Sequence, residues 1–504
     1  MTLDRLWLQA EQSAPEKTAL VDGARRFTYR QAGDDIRRIM KGLMLRWRMP
    51  RGAVVAILAP NCAEFVISYF AAVSSGVVVQ PIDERLTPEE IRATLLDSGA
   101  RHVIVHRSLG GKLHKALVEL PAPAGVLGID LTPDGGERFD DWVCQSLVSD
   151  CAPRQIASSD PAELMYTSGT TGEAKGVIRS HANVLAAARN SITGFGYQAS
   201  DVIAVVMPLS HSSALNSQMI PLVQLGGTVV LVNGFDVHRL LSVIEEERVS
   251  CLRAVPTMLR MLLASHGFNS EALPSLRLLI NSSAPIDPET YRAVKRRFPR
   301  IEVMNSYGLT EASTCTALPD AMALTDSESI GHAIDGVEMS VRGDDGRILG
   351  VGEEGEIYVS GEHVFLGYHN RPEATRRAVS DGWLRTGDIG YRDERGLYYL
   401  SGRKNDLINC GGRKFAPEEV ETCIRQMPEV AEVAVVGVAH GILGQVAKAF
   451  VIPAEQNGIR SKQIVQHCAR NLPSYKVPFS VVLIPELPKN STGKLLRRKL
   501  QEVH

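Results

Sequence analysis

Tyr166-Thr167-Ser168-Gly169-Thr170-Thr171-Gly172-Glu173-Ala174-Lys175-Gly176 is the stretch around which this chain is organised. Every position from Thr167 to Thr171 is Thr, Ser or Gly, and a short run, Glu163-Leu164-Met165, leads in. Such a segment offers hydroxyl and backbone N–H donors with no bulky side chain between them, which is what wrapping a polyphosphate requires. Lys175 adds a mobile positive charge. The spacing is not G-x-x-x-x-G-K-[ST], because Gly176 follows the lysine. A plain surface linker is the alternative, and the ending Lys175-Gly176-Val177-Ile178 argues against it.

A chain of 504 residues exceeds one ordinary core, so two or more domains are expected. Lys+Arg 55 against Asp+Glu 57 gives a net charge of -2, which offers no basic field for nucleic acid. Eight scattered cysteines form no C-x-x-C pair and read as reduced thiols of a cytoplasmic protein. Met1-Thr2-Leu3-Asp4-Arg5 does not open a secretory signal, and no run of about 18 apolar residues suggests a membrane span.

The opening stretch resembles the phosphate-binding signature of the adenylate-forming superfamily, which contains acyl- and aryl-CoA synthetases, adenylation domains of peptide synthetases and luciferases. Ala174 stands where that family most often has Pro. The resemblance assigns Thr167, Ser168, Gly169, Thr170, Thr171 and Lys175 to the polyphosphate of ATP, and its remaining motifs follow in order.

Up to about residue 150, helical and strand patterns alternate, which predicts α/β layering with parallel strands. A helix is expected from Phe27 through Leu45, a buried strand at Ala53–Leu58, a helix from Asn61 to Ala72 and a strand at Gly76–Pro81. From about 110 to 160 the pattern loosens into what reads as a connector. Beyond the phosphate loop, a helix from His181 would be a suitable exit from an anion-binding turn.

Asp201–His211 reads as a buried strand ending in Pro208, Ser210 and His211. A histidine there is ordinarily structural, but its place after Met207-Pro208-Leu209 resembles the family motif that gates the acyl pocket. His211, Ser212, Ser213 and Ser282 are therefore assigned to that pocket. Arg253 interrupts the apolar strand Val249–Pro256, either as a snorkelling side chain or as a counter-ion for a polar group or second carboxylate on the substrate.

Asn281-Ser282-Ser283-Ala284-Pro285 resembles the family turn beside adenine and acyl group, which implicates Ser283, Ala284 and Pro285. Asn305-Ser306-Tyr307-Gly308-Leu309-Thr310-Glu311 matches the family's Y-G-x-T-E in full. Here an aromatic face stacks adenine, a hydroxyl reaches the α-phosphate and a carboxylate holds Mg²⁺. The resemblance gives these tasks to Tyr307, with Asn305 and Gly308 beside it, to Thr310 and to Glu311. Gly350-Val351-Gly352-Glu353-Glu354-Gly355 satisfies G-x-G-x-x-G, but a β segment and two acidic residues make it a hairpin turn, not a dinucleotide site.

The resemblance further gives Asp388 to the ribose diol, Arg403 to ribose or phosphate, and residue 405 to a hinge, where Asn405 replaces the usual Asp or Lys. Cys410-Gly411-Gly412-Arg413-Lys414 reads as a flexible loop, which the resemblance brings over a thiol channel, and Lys494 in Pro488-Lys489-Asn490-Ser491-Thr492-Gly493-Lys494-Leu495 matches the family lysine that reaches carboxylate and α-phosphate during adenylation.

The expected fold is α/β: an N-terminal domain over 1–404, built of α/β subdomains with a β-rich subdomain, and a small mobile C-terminal α/β domain over 405–504. The expected activity is ATP- and Mg²⁺-dependent ligation of a small carboxylic acid to coenzyme A through an acyl-adenylate. Free CoA is the expected acceptor, since no fused carrier domain is expected with ten residues left after Lys494, and a separate carrier protein is the alternative. A homodimer is left open.

Overall fold

Short apolar runs such as Val54–Leu58 and Cys251–Ala254 are buried almost throughout, and the sheets they build are parallel at their centres. The computed structural model describes residues 1–118, 120–121, 123–144, 154–167, 174–282, 286, 288–323, 325–404, 406–454, 458–489 and 495–501. Contacts divide the chain into two compact units, Met1–Glu338 with Val359–Leu384, and Met339–Tyr358 with Arg385–His504.

The first unit holds two sheets flanked by helices. One runs in the order Gly367–Tyr368, Lys175–Ser180, Pro161–Thr167, Val78–Pro81, Val54–Leu58, His102–His106, Gly125–Ile129, Glu137–Arg138. The other places Glu302–Leu309, Leu278–Asn281, Cys251–Ala254, Val202–Val205, Thr228–Leu231 and Thr18–Asp22 side by side in parallel. Hairpins then add the antiparallel strands Ser313–Leu318 and Arg25–Thr28. Helix Tyr29–Lys41 starts at a capping box in which Thr28 Oγ1 accepts from Gln31 N and Gln31 Oε1 accepts from Thr28 N.

Three expectations need correction. The stretch from 110 to 160 contains helix Gly110–Leu117, strand Gly125–Ile129 and helix Phe139–Cys144. Glycine masked that strand in the sequence, yet a Cβ at Gly128 would stand 2.3 Å from the Leu131 carbonyl oxygen, so the strand requires it. Secondly, the strand expected to run to His211 stops at Val205, because Asn61 Nδ2 takes the carbonyls of Val205, Met207 and Val232 and turns the chain away. Thirdly, strand Lys175–Ser180 separates the phosphate-loop stretch from helix His181–Phe195, which Ser180 caps.

A buried polar network lies beneath the hairpin of Pro161–Thr167 and Lys175–Ser180. Glu163 and Arg179, both fully buried, stand opposite each other in register. Glu163 accepts from Tyr69 OH at 2.6 Å and Asn216 Nδ2 at 3.0 Å, while Arg179 donates to Ser212 Oγ at 3.2 Å. Burial raises the Glu163 pKa against the pull of Arg179. Arg179→Met is expected to cost about 3–5 kcal/mol of unfolding free energy at neutral pH by leaving Glu163 without a counter-charge. Denaturant titration should show the deficit shrinking as pH falls and Glu163 protonates, and largely recovered in the double variant with Glu163→Gln.

Two histidines set an acid limit. His181 accepts from Leu3 N through Nδ1 at 3.1 Å, pinning the first helix, Leu3–Ser13, and His363 lies beside Arg179. Burial lowers both imidazoles from about 6.5 to about 4. A depressed folded-state pKa contributes stability that is present above the unfolded value and is lost as pH falls towards 4. Between pH 7 and pH 5 each should remove about 2 kcal/mol. Unfolding free energies at the two pH values test this, and His181→Gln with His363→Gln should flatten the difference.

In the second unit, Val430–His440 and Gly444–Pro453 form a long antiparallel pair, extended by Ile408–Cys410 and Arg413–Phe415 on one side and Ser480–Leu483 in parallel. Helices Pro417–Arg425 and Ser461–Asn471 cover a core that includes Val420, Ile424, Val435, Ala449 and Ile464. Arg497 donates to Glu418 Oε1 at 2.6 Å and the Val435 carbonyl at 2.6 Å, pairs with Glu421, and stands 3.5 Å from Asp406 Oδ2. The seven described cysteines are all free thiols.

Candidate active site

Hairpins deliver the two main motifs of the first unit. In the first, Thr167 pairs with Lys175 and Tyr166 with Gly176. Ser168, Gly169, Thr170 and Thr171 lie outside the described residues, as do Ser283, Ala284, Pro285, Asn405 and Lys494. Gly176 admits no side chain, since a Cβ would meet Leu164 at 2.7 Å and His369 at 3.2 Å. On the outer side of Lys175–Ser180 runs Gly367–Tyr368. Lys175 Nζ lies 5.3 Å from the Tyr368 ring centroid, and Tyr368 OH donates to Glu311 Oε1 at 2.8 Å. Burial and the neighbouring Glu311 raise the phenol pKa, so it stays a donor.

Lys175 and Glu311, expected from the sequence to meet phosphate and metal, are therefore joined through one phenol. Sequence reading did not single out Tyr368. Its segment, Gly367-Tyr368-His369-Asn370, has no period or spacing that marks a site; only its spatial neighbours do.

The second hairpin joins Glu302–Leu309 to Ser313–Leu318, pairing Leu309 with Ser313 and Gly308 with Thr314. Thr310, Glu311 and Ala312 make its tip, closed by Ala312 N donating to the Leu309 carbonyl at 3.1 Å. A Cβ at Gly308 would stand 1.9 Å from the Ser313 carbonyl oxygen, so glycine alone lets the strands approach this closely. Tyr307 is buried beside it. Both ends of the Asn305 amide are used within the protein: Oδ1 accepts from Asn281 Nδ2 at 2.9 Å and Nδ2 donates to the Ser327 carbonyl at 3.0 Å.

The expected acyl-pocket residues share this unit. His211 Nε2 is 3.1 Å from Asp83 Oδ2 and leads into the short helix Ser212–Ala214. Ser212 Oγ accepts from Arg179 Nη1 and from Asn216 Nδ2 at 3.3 Å. Ser213 Oγ and Ser282 Oγ are buried without a partner among the described residues, so two hydroxyls are available to a bound molecule. No cluster of three or more metal-ligating side chains occurs among the described residues. The single carboxylate of Glu311 suits an Mg²⁺ whose other ligands are phosphate oxygens and water.

In the second unit, Asp388 and Arg403 are cross-strand partners, with Arg403 Nε 2.9 Å from Asp388 Oδ1. Gly387, with φ 73°, sets the bend, and Thr386 Oγ1 accepts from Asp388 N at 3.1 Å. The expected flexible loop at Gly411-Gly412 is instead a tight two-residue turn closed by the Cys410–Arg413 pair. Its φ values of 59° and 84° are those of a turn matched to strand twist, for which Gly-Gly is suited. A groove of about 390 Å³ borders the turn, lined by Gly411, Arg413, Leu443, Tyr475 and Phe479 among others.

Residues 6–369 match the AMP-binding enzyme family, and residues 419–494 match the AMP-binding enzyme C-terminal domain. A long-chain-fatty-acid–CoA ligase of Mycobacterium tuberculosis is 34% identical over 90% of this chain and 88% of its own. An indoleacetate–CoA ligase of Aromatoleum aromaticum is 32% identical over 97% and 95%. The crystal structure of ATP-bound MatB from Rhodopseudomonas palustris superposes with a TM-score of 0.89 at 28% identity, covering 100% of this chain and 99% of that one.

Proposed function

This chain belongs to the AMP-binding enzyme family and is an ATP-dependent, adenylate-forming acid–thiol ligase, and from that premise we propose how its own residues divide the work. The observation that supports this reading is the line from Lys175 through Tyr368 to Glu311, which joins a cation and a carboxylate suited to phosphate and to Mg²⁺.

In the first half-reaction a substrate carboxylate oxygen attacks the α-phosphorus of ATP. The bond from that phosphorus to the β-phosphate bridging oxygen breaks, and pyrophosphate leaves with the electron pair. Thr167, Ser168, Thr170 and Lys175 hold the leaving pyrophosphate, Thr310 the α-phosphate, and Lys494 the charge that develops as the carboxylate approaches. Glu311 would hold Mg²⁺, which supplies charge neutralisation at the phosphates. Tyr307 stacks the adenine and Asp388 accepts from the ribose.

In the second half-reaction a thiolate attacks the acyl carbon and AMP departs. Coenzyme A is the proposed thiol, with the Gly411-Gly412 turn and its groove as the element that receives it, and residues 405–504 are proposed to turn about Asn405 between the two steps. A cytoplasmic setting, where thiols stay reduced, suits the free cysteines.

The test is incubation of the purified chain with MgATP and a panel of carboxylic acids, with and without CoA, following pyrophosphate release and thioester mass. Thioester formed only when CoA is present supports the reading. Adenylate without thioester moves the acceptor to a carrier protein, and no acid-dependent pyrophosphate release refutes it.

A further inference from the structure

Arg253 is 4% exposed in the parallel strand Cys251–Ala254, the kind of place where a guanidinium is expected to meet a carboxylate. It meets none. Its side chain extends across the neighbouring strand Leu278–Asn281 to reach the next one, where Nη2 donates to Ser306 Oγ at 2.7 Å. The guanidinium carbon lies 5.3 Å from the Phe195 ring centroid. Nε and Nη1 are buried and have no partner among the described residues. A neutral hydroxyl and one aromatic face leave the charge uncompensated and two donors unused, a state costing several kcal/mol unless something else occupies the space.

The surroundings say what that occupant touches. These strands are parallel, and in such sheets ligands bind beyond their carboxyl ends. Ser306 directly precedes Tyr307 in the strand that runs into Thr310 and Glu311. By register Arg253 stands opposite Ile280, so strand alternation puts Ser282 on the same face, two residues further along. The Ser282 hydroxyl is also buried without a partner among the described residues. Unspent donors thus gather at the end of the sheet where the acyl group is proposed to bind. Burial lowers the Arg253 pKa, as expected of a guanidinium without a counter-ion.

We propose that Arg253 is the specificity-determining residue of the acyl pocket and that the substrate is a carboxylic acid bearing a second carboxylate, which accepts from an unpartnered guanidinium donor, Nε or Nη1, while the first is adenylated. The proposal deepens the acid–thiol ligase reading and rests on it. A planar guanidinium carries donors on several edges, so one can stay on Ser306 while another meets a carboxylate, an arrangement that a lysine does not reproduce.

The experiment compares matched acid pairs, a dicarboxylic acid and the same skeleton with the distal carboxylate replaced by a methyl group, in the wild-type chain, Arg253→Met and Arg253→Lys. Acid-dependent pyrophosphate release is measured, with thermal unfolding recorded for each protein. Wild type should favour the diacid by at least 100-fold in kcat/KM for the best-fitting skeleton. Arg253→Met should collapse that ratio to 10-fold or less, mainly through KM for the diacid, and Arg253→Lys should recover only part of it. A wild-type preference for the methyl analogues, or a Met variant that lowers both members of a pair equally, overturns the proposal. Absence of pyrophosphate release with every acid instead overturns the ligase reading on which it rests. Should Arg253→Met not fold, the wild-type ratio alone still decides.

Discussion

Gly308→Ala is expected to lower the adenylation rate by at least 100-fold while leaving most of the fold in place. The added Cβ would stand 1.9 Å from the Ser313 carbonyl oxygen, 2.8 Å from its carbon and 3.1 Å from Thr314 Cα, all of them backbone atoms that cannot rotate aside. The hairpin must open, and Thr310 and Glu311 ride on its tip. Displacing positioned groups by about 1 Å typically costs roughly 10²-fold, or about 3 kcal/mol of barrier. Acid-dependent exchange of labelled pyrophosphate into ATP measures the step. A rate within about threefold of wild type would show that the close strand approach is not needed for catalysis.

Lys494→Ala is expected to separate the two half-reactions. Loss of the charge that meets the attacking carboxylate should cut acyl-adenylate formation by roughly 10²–10³-fold, the usual effect of removing one preorganised donor. Thioester formation from acyl-adenylate supplied ready-made should continue near the wild-type rate. Single-turnover assays of each half supply the comparison, and equal losses in both would refute the role.

Legibility in the sequence followed the physics of each element. Buried parallel strands announce themselves as apolar runs, and the Thr/Ser/Gly stretch and Tyr307-Gly308-Leu309-Thr310-Glu311 carry their chemistry in consecutive residues, so both could be read without coordinates. Arg179 and Glu163 could not, because their meeting depends on the register of one hairpin, and nothing local says that both face inward. Tyr368 was hidden for the same reason: its meaning comes from Lys175 and Glu311, distant in sequence. Asn61, which ends the strand at Val205, acts through three carbonyls more than 140 residues away. The Gly411-Gly412 pair was visible, but its composition suits a disordered loop and a tight turn equally, and only the Cys410–Arg413 pairing decides between them.

Strand Lys175–Ser180 carries a consequence for how the nucleotide is held. Its six residues put the first turn of helix His181–Phe195 roughly 20 Å of chain beyond Lys175, at about 3.3 Å per residue. Helix His181–Phe195 therefore does not begin at the proposed phosphate loop, and its positive end is not the loop's direct continuation. The share of the proposed attraction for the triphosphate that comes from Lys175 and a bound Mg²⁺ is screened by dissolved salt wherever solvent reaches it. Nucleotide capture is accordingly expected to weaken as ionic strength rises, governed by the buffer as well as by the fold.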